Sequence, residues 1–469
     1  MNPQVQLDPH ALGRVHFIGM GGAGMSAVAR LLLARGVPVS GSDAQDSQGL
    51  RELEELGATV FVGQRAQNVA GAGTVVVSTA IKPTNPELAA AREQDLRVVH
   101  RSEALASAMH GQRVVAVAGT HGKTTTSSMA TVAFRAAGLD PSWAIGAFVA
   151  DLGANAGFAD GEWFVAEADE SDGSFLAYLP EIAVVTNVEP DHLDHYGSAA
   201  EFFASFDRFA ETIRPGGTLV VCLDDEGSRN LAERRRQTGE AVLSYGLDPA
   251  ADVHISDVEA RGVGSHCTLT FALAGEDARS LELDLLVPGA HNIADAAAAF
   301  TAGVAAGAEP EALIDGLGRF HGSARRFDLK GTARGVRVFD DYAHHPTEVQ
   351  AALTAAREVA GEHKVHAIFQ PHLYSRTREF AAEFAAALEL ADRAYVLDVF
   401  GAREEPIPGV TGHSIAELAA SGRVASTPEA EEAIGAVLQS AGAGDLILTI
   451  GAGDVTALGL QIVNGLALN

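Results

Sequence analysis

The residues with the most specific chemistry are Gly119, Thr120, His121, Gly122, Lys123, Thr124 and Thr125. They follow an apolar run, RVVAVA, and open a stretch with helical character. The pattern is a shortened phosphate-binding loop, with two residues rather than four between its glycines. In such a turn backbone N–H groups surround phosphate oxygens, a lysine neutralises β/γ charge, and a threonine hydroxyl can ligate Mg2+. Carboxylates that hold the metal should then lie downstream. Glu167, Asp169, Glu170 and Asp172 cluster in EADESDGS after WFVA. Asp191, His192, Asp194 and His195 follow AVVTNV in PDHLDH. Clustered carboxylates repel one another unless a cation sits among them. Taken alone, the first cluster also fits a solvated acidic loop.

An earlier turn has a related design. Gly19, Gly21 and Gly24 fit G-x-G-x-x-G, with Gly22 adding another small residue. The turn follows RVHFI and precedes an amphipathic helix, so its backbone can approach a diphosphate at a helix N-terminus. Ser42 and Asp43 end the next strand, where an acidic residue often takes ribose hydroxyls. NAD, a UDP-sugar, or no ligand at all are each compatible with this turn.

The elements that must position these groups are strands and helices in alternation. RVHFIGMGGAGMSAVARLLLARGVPVSGSD reads strand, glycine turn, helix, strand, and ATVFVG and GTVVVSTAI add strands. The pattern restarts at RVVAVAGTHGKTTT and again, after FHGSARRF, at VRVFDDYAHHPTEV. Alternation of this kind implies parallel α/β sheets. Residues 251–288 alternate apolar and polar instead, which suggests an antiparallel patch in the middle domain. The expected architecture is α/β in three domains: a Rossmann-like domain over 1–110, a P-loop-type ATPase domain over 111–321 with a mostly parallel sheet, and a Rossmann-like domain over 322–469.

Length and composition agree with this. The chain has 469 residues, about three domains' worth. Its formal net charge is −28. So acidic a chain lacks the basic footprint of a nucleic-acid coat or a binder of anionic membranes. Cys222 and Cys267 are the only cysteines. With no disulfide framework, no apolar signal core and no apolar run long enough to span a bilayer, a cytoplasmic enzyme is expected.

Eight segments in order carry a family resemblance: HFIGMGGAGMS, GTHGKTTT, EADESDGSF, TNVEPDHLD, PGAHNIADA, ARRFD, DDYAHHPTEV and QPHLYSRT. They resemble the motifs of the Mur ligases of peptidoglycan synthesis, and most of all those members that join L-alanine to UDP-N-acetylmuramate. The resemblance implies ATP as co-substrate and two Mg2+ ions, with Mn2+ as a substitute. It implies that the first glycine turn takes a UDP-sugar, through Gly19, Gly21, Gly22, Gly24, Ser42, Asp43, Ser78 and Thr79. Lys123 then looks like the phosphate lysine, Thr124 and Glu167 like metal ligands, and His192 like the histidine of the second metal. His291 and Asn292 resemble an adenine-proximal pair, Arg326 an ATP-contacting arginine that stabilises the transferring phosphoryl, and Asp341 a nucleotide-contacting aspartate. Tyr342, His344, His372 and Arg376 look like the site for the amino acid and its carboxylate. Because these sites fall in different expected domains, closure of the domains should accompany reaction.

The sequence departs from the family pattern at Asp295, where a second asparagine is expected, and at Leu373, where many relatives carry arginine. YGSAAEFFASFDRF has no lysine, so a carbamylated lysine on the second metal is not expected. Three rivals compete with single-residue addition. A recycling ligase would join a preformed peptide to the same UDP-sugar. A dinucleotide-dependent oxidoreductase would explain the first turn but leave GTHGKTTT and EADESD without a role. A nucleotide-gated binding module would keep the motifs without the ligation.

Overall fold

The five strands β1 (Val15–Ile18), β2 (Val39–Asp43), β3 (Thr59–Val62), β4 (Thr74–Val77) and β5 (Arg97–His100) form one sheet in the order β3-β2-β1-β4-β5. All its pairings are parallel. The central strand β1 is buried throughout, as a strand covered on both faces must be. This is a computed structural model, and it describes residues 7–272, 277–402 and 404–468. Four helices belong to the first stretch: α1 (Ala23–Ala34), α2 (Gln48–Glu55), α3 (Pro86–Glu93) and α4 (Arg101–Ala108).

A second sheet of ten strands runs β15-β14-β13-β12-β11-β10-β6-β9-β7-β8. Its members are β6 (Arg113–Ala118), β7 (Ser142–Val149), β8 (Ala154–Gly157), β9 (Trp163–Glu167), β10 (Ile182–Val185), β11 (Thr218–Cys222), β12 (Ala241–Gly246), β13 (Val253–Arg261), β14 (Gly264–Phe271) and β15 (Arg279–Leu285). Helix α5 (Lys123–Ala136) follows β6. The pairings from β12 through β7 are parallel. Strands β13 to β15 are neighbours joined by connections too short for a parallel crossover, so they form the expected antiparallel patch. The β7–β8 hairpin is also antiparallel, a pairing the sequence reading did not include.

The third sheet, order β16-β17-β21-β18-β19-β20, is built from β16 (Asp328–Ala333), β17 (Val336–Asp341), β18 (Val365–Phe369), β19 (Arg393–Val396), β20 (Val424–Ser426) and β21 (Leu446–Ile450). It is parallel except for β16, which pairs antiparallel with β17. The chain separates into two compact units. One comprises Met1–Ser256, Thr268–Leu283 and Ala294–Phe320, and the other Asp257–Cys267, Asp284–Ile293 and His321–Asn469. Among the described residues no helix is long and apolar enough to cross a membrane.

Candidate active site

The second glycine turn links β6 to α5. Gly122 is the N-cap of α5 and adopts a left-handed conformation, φ 82°. A Cβ there would collide with Asp295 Oδ1, so glycine is required twice over, by conformation and by space. Lys123 opens the helix and turns back over the loop. Its Nζ donates to Gly119 O at 2.6 Å, Thr120 O at 2.9 Å and Glu170 Oε1 at 3.0 Å. Burial opposes its charge, but Glu170, Asp169 and Glu167 overcome that and hold the ammonium above the ordinary lysine range.

Parallel register puts the next residue in place. Val117 of β6 pairs with Glu167, the last residue of β9, so Glu167 emerges beside the loop. Its Oε1 accepts from Thr124 Oγ1 at 2.9 Å, and its Oε2 accepts from Gly146 N at 2.6 Å. A hydroxyl next to a carboxylate is a hard oxygen donor set, which fits Mg2+.

The rest of the acidic loop has other partners. Asp169 accepts from Arg101 Nη2 at 2.7 Å. Despite burial, Arg101 and Lys123 keep its carboxyl below the usual range. Asp172 lies 3.6 Å from His100 Nε2. Glu170 is almost wholly buried, 1% exposed, and burial pushes its carboxyl up to about 7 against the pull of Lys123. Its carbonyl accepts from the Tyr196 hydroxyl. Lys123 and Arg101 thus provide cationic partners for the clustered carboxylates, while burial lowers the His100 imidazole's affinity for a proton.

His192 has a left-handed backbone, φ 53°, at the start of the short helix Leu193–Tyr196. Its Nε2 lies 3.6 Å from Asp191 Oδ2 and 3.9 Å from Glu170 Oε1. His195 is exposed and stands edge-on to Tyr196. The segment Thr186–Glu189 buttresses the loop, a role the sequence reading missed although TNVEPDHLD was among its motifs. Asn187 O accepts from Thr120 N at 3.1 Å, and Asn187 Oδ1 from His121 N at 2.8 Å. These two N–H groups both face Asn187. Thr120 Oγ1 donates to Glu189 O at 2.8 Å, and the His121 ring lies 2.9 Å from Glu189 Oε2. Thr125 is buried on α5.

On the helix Ala290–Ala305, Asp295 accepts from Thr126 Oγ1 at 2.9 Å, so the unexpected carboxylate braces the first turn of α5. His291 is exposed. Asn292 is buried and donates its amide to Pro288 O at 2.6 Å, which engages the side chain with the backbone of its own turn.

At the first glycine turn, Gly19 N and Met20 N donate to Ser42 O, each at 2.9 Å. Gly21 N donates to Asp43 Oδ2 at 2.9 Å. Gly22 is the N-cap of α1, and Gly24 lies against the Arg101 guanidinium. Ser78 is half-buried and Thr79 exposed in the turn after β4. Ser42 departs from the expectation of a ligand contact: it is 0% exposed, and its hydroxyl donates to the buried Glu87 at 2.6 Å.

The C-terminal unit carries its own cluster. Asp341 ends β17 and accepts from Phe327 N and Ala343 N, each at 2.8 Å. Burial pushes its carboxyl up to about 6, with Arg326 pulling the other way. The guanidinium carbons of Arg325 and Arg326 lie 4.8 and 4.9 Å from the centre of the Tyr342 ring. His344 follows, its ring 5.3 Å from Tyr342 and 6.0 Å from His372, which stacks on Phe400. Arg376 is buried on the helix Tyr374–Glu379, whose N-cap, Leu373, has φ 69°. The four residues expected at the amino-acid site thus fall in one unit, three of them in a continuous run of rings. Arg325, which donates to Gly451 O at 2.5 Å and to Asp340 Oδ2 at 3.3 Å, was not anticipated.

Comparison with known proteins follows the same division. Three family models match: "Mur ligase family, catalytic domain" over residues 14–113, "Mur ligase middle domain" over 117–303, and "Mur ligase, glutamate ligase domain" over 325–453. The UDP-N-acetylmuramate–L-alanine ligase of Paenarthrobacter aurescens (strain TC1) is 57% identical, spanning 97% of this chain and 98% of that protein. The crystal structure of the UDP-N-acetylmuramate–alanine ligase of Thermotoga maritima superposes with a TM-score of 0.79 at 27% identity, covering 96% of this chain and 98% of that one. A murein peptide ligase of Psychrobacter arcticus reaches 0.71 at 23% identity over 97% of this chain and 99% of that one, a likeness of fold alone.

Proposed function

The chain belongs to the Mur ligase family, and on that premise we propose that it joins L-alanine to the lactyl carboxylate of UDP-N-acetylmuramate with cleavage of ATP to ADP and phosphate. The observation that carries this reading is the 57% identity, end to end, with a UDP-N-acetylmuramate–L-alanine ligase. We divide the work among residues 1–110 for the UDP-sugar, 111–321 for ATP, and 322–469 for the amino acid with part of the nucleotide site.

A carboxylate is a poor electrophile, so the reaction needs activation. The lactyl carboxylate oxygen attacks the γ-phosphorus of ATP, the bond to the β-bridging oxygen breaks, and ADP leaves. The resulting acyl phosphate is attacked by the amine of L-alanine, which gives up a proton. The tetrahedral intermediate collapses to the amide and expels phosphate. The protein's part is to align several anions and neutralise them. Lys123 supplies a fixed positive charge at the phosphate loop, kept ionised by its acidic neighbours. We assign Thr124 and Glu167 to one Mg2+ and His192 to a second, the metal supplying further charge neutralisation at the phosphoryl oxygens when bound. Arg326 is assigned to the transferring phosphoryl. His291, Asn292 and Asp341 are assigned to the nucleotide, Asn292 through the turn its amide closes. Tyr342, His344, His372 and Arg376 are assigned to L-alanine.

The test is phosphate release from ATP with UDP-N-acetylmuramate and Mg2+, against each amino acid in turn and one muropeptide-type tripeptide. Release dependent on L-alanine, with the matching mass gain on the UDP-sugar, is expected. Release with the tripeptide alone moves the chain to peptide recycling, and no release with any acceptor overturns the ligase reading.

A further inference from the structure

One fully buried carboxylate behind the first glycine turn is not used by the mechanism above. Glu87 is the second residue of α3 and has 0% exposure. An ionised group without solvent is costly to bury unless donors surround it. Glu87 has them on both oxygens. Oε2 accepts from Ser42 Oγ at 2.6 Å and lies 3.4 Å from His16 Nε2. Oε1 accepts from Asn68 Nδ2 at 2.6 Å and from Arg65 N at 3.1 Å. The start of α3 adds the favourable end of a helix dipole. Burial raises the carboxyl's affinity for a proton, but these donors more than offset it, and Glu87 titrates below the usual range.

The donors come from separate segments that share one destination. His16 is on β1, Ser42 at the end of β2, and Arg65 and Asn68 in the connection after β3. His16 Nδ1 also lies 3.0 Å from Ser40 Oγ, tying β1 to β2. From these anchors the contacts run forward to the turn. Ser42 O holds Gly19 N and Met20 N, Asp43 Oδ2 holds Gly21 N, and Asp43 O holds Gly63 N at 2.7 Å. Asn68 also donates to Gly63 O at 3.0 Å. The contacts of Gly19, Met20, Gly21, Ser42, Asp43 and Gly63 lie at the carboxyl ends of the strands, where open α/β sheets bind their ligands.

We propose that Glu87 is a positioning residue for the UDP-sugar: it fixes the glycine turn Gly19–Gly21 and the Gly63–Asn68 connection through Ser42, Arg65 and Asn68, without touching the ligand. This rests on the reading of the first turn as the UDP-sugar site. A glutamine at this position keeps the shape but removes the charge and replaces one acceptor oxygen by an NH2 group, so it can no longer accept from the donors on both sides at once.

The experiment compares wild type, Glu87→Gln, Glu87→Asp and Ser42→Ala in the full-length chain. It measures KM for UDP-N-acetylmuramate and for ATP, kcat, and direct binding of UDP-N-acetylmuramate by calorimetry. Losing a hydrogen bond to a charged group predicts a rise of about tenfold in KM and Kd for the UDP-sugar in Glu87→Gln, and about threefold in Ser42→Ala. KM for ATP and kcat should stay within about twofold, because α5 and its loop are not part of the network. Glu87→Asp, which restores the charge, should recover part of the affinity. Unchanged UDP-sugar affinity in a folded Glu87→Gln overturns the proposal, as does a matching rise in KM for ATP, which would mean general loosening. Where Glu87→Gln gives no cooperative melt, Ser42→Ala decides on the same criteria. A wild type that neither binds nor turns over UDP-N-acetylmuramate overturns the functional reading and this proposal together. A wild type that does both, with variants that match it, overturns the proposal alone.

Discussion

The two glycine turns open with the same grammar of strand, glycines and helix, and their surroundings give them different electrostatics. At Gly119–Thr125 a lysine folds over the loop, a threonine faces a carboxylate, and Asn187 and Glu189 brace the backbone from outside. At Gly19–Gly24 no cation lies within the turn itself. Asp43 takes one of its N–H groups, and the nearest guanidinium, Arg101, reaches in from α4 and is paired with Asp169. A glycine turn therefore specifies how closely a backbone can approach a ligand. The charge of that ligand is set by side chains that arrive from elsewhere in the chain.

The largest effect should come from removing the cation of the second turn. Lys123→Met should lower ligation turnover by about a thousandfold or more, since preorganised charge is the main contribution to phosphoryl transfer. Turnover within tenfold of wild type would mean that the loop does not depend on its lysine. His192→Gln should cost about a hundredfold and shift the Mg2+ dependence of phosphate release, as expected of a ligand to the second metal. Near-normal turnover with normal metal dependence would remove that role.

A smaller contrast comes from putting a methyl group on each turn. Gly122→Ala meets a left-handed φ and the Asp295 carboxylate, so it should destabilise the protein by about 2 kcal/mol and raise KM for ATP. Gly24→Ala has no such backbone strain. It meets only the far end of the Arg101 side chain, which can swing aside. Thermal melts should therefore show a clear loss for Gly122→Ala and little for Gly24→Ala, whose effect should fall on the UDP-sugar. Equal losses would mean that both turns are limited by packing alone.

The second turn was legible in the sequence because its chemistry is local: Gly119, Gly122, Lys123 and Thr124 lie within one loop. Glu167 was legible as one of a cluster of carboxylates after a strand-like run, and the pairing of β9 with β6 is what brings it beside the loop. Less legible were contacts that depend on distant pairing. Thr186 to Glu189 reach the loop only because β10 lies beside β6. The β7–β8 hairpin and β16 carry weak alternation and were not anticipated. Ser42 illustrates a different limit. Its place at a strand end suggested a ligand contact, but which face a strand-end side chain takes depends on what is buried beneath it, here Glu87 from α3. The first turn left NAD and a UDP-sugar open for the same reason, since G-x-G-x-x-G describes the turn and not its neighbours.

The finest contrast lies in the two buried carboxylates behind the turns, which are displaced in opposite directions. Four donor groups hold Glu87 below the usual glutamate range, whereas burial leaves Glu170 at about 7 even beside Lys123. The signs of their contributions to stability therefore differ. For Glu170 the folded state keeps a proton that the unfolded chain releases near 4.5, so its contribution is fully present below that pH and is lost as pH rises to about 7. For Glu87 the unfolded chain holds the proton longer, so its contribution is present above about 4.5 and is lost as pH falls through the depressed folded value. Each slope is at most one proton, about 1.4 kcal/mol per pH unit. Urea unfolding of metal-free, nucleotide-free protein checks this. Between pH 5 and 7 the wild type should lose stability relative to Glu170→Gln, while its difference from Glu87→Gln stays constant. Below about pH 4.5 the wild-type advantage over Glu87→Gln should shrink. A difference from Glu170→Gln that stays flat from pH 5 to 7 would place its carboxylate in the ordinary range. The two turns would then share one electrostatic design behind the loop, and Lys123 alone would set them apart.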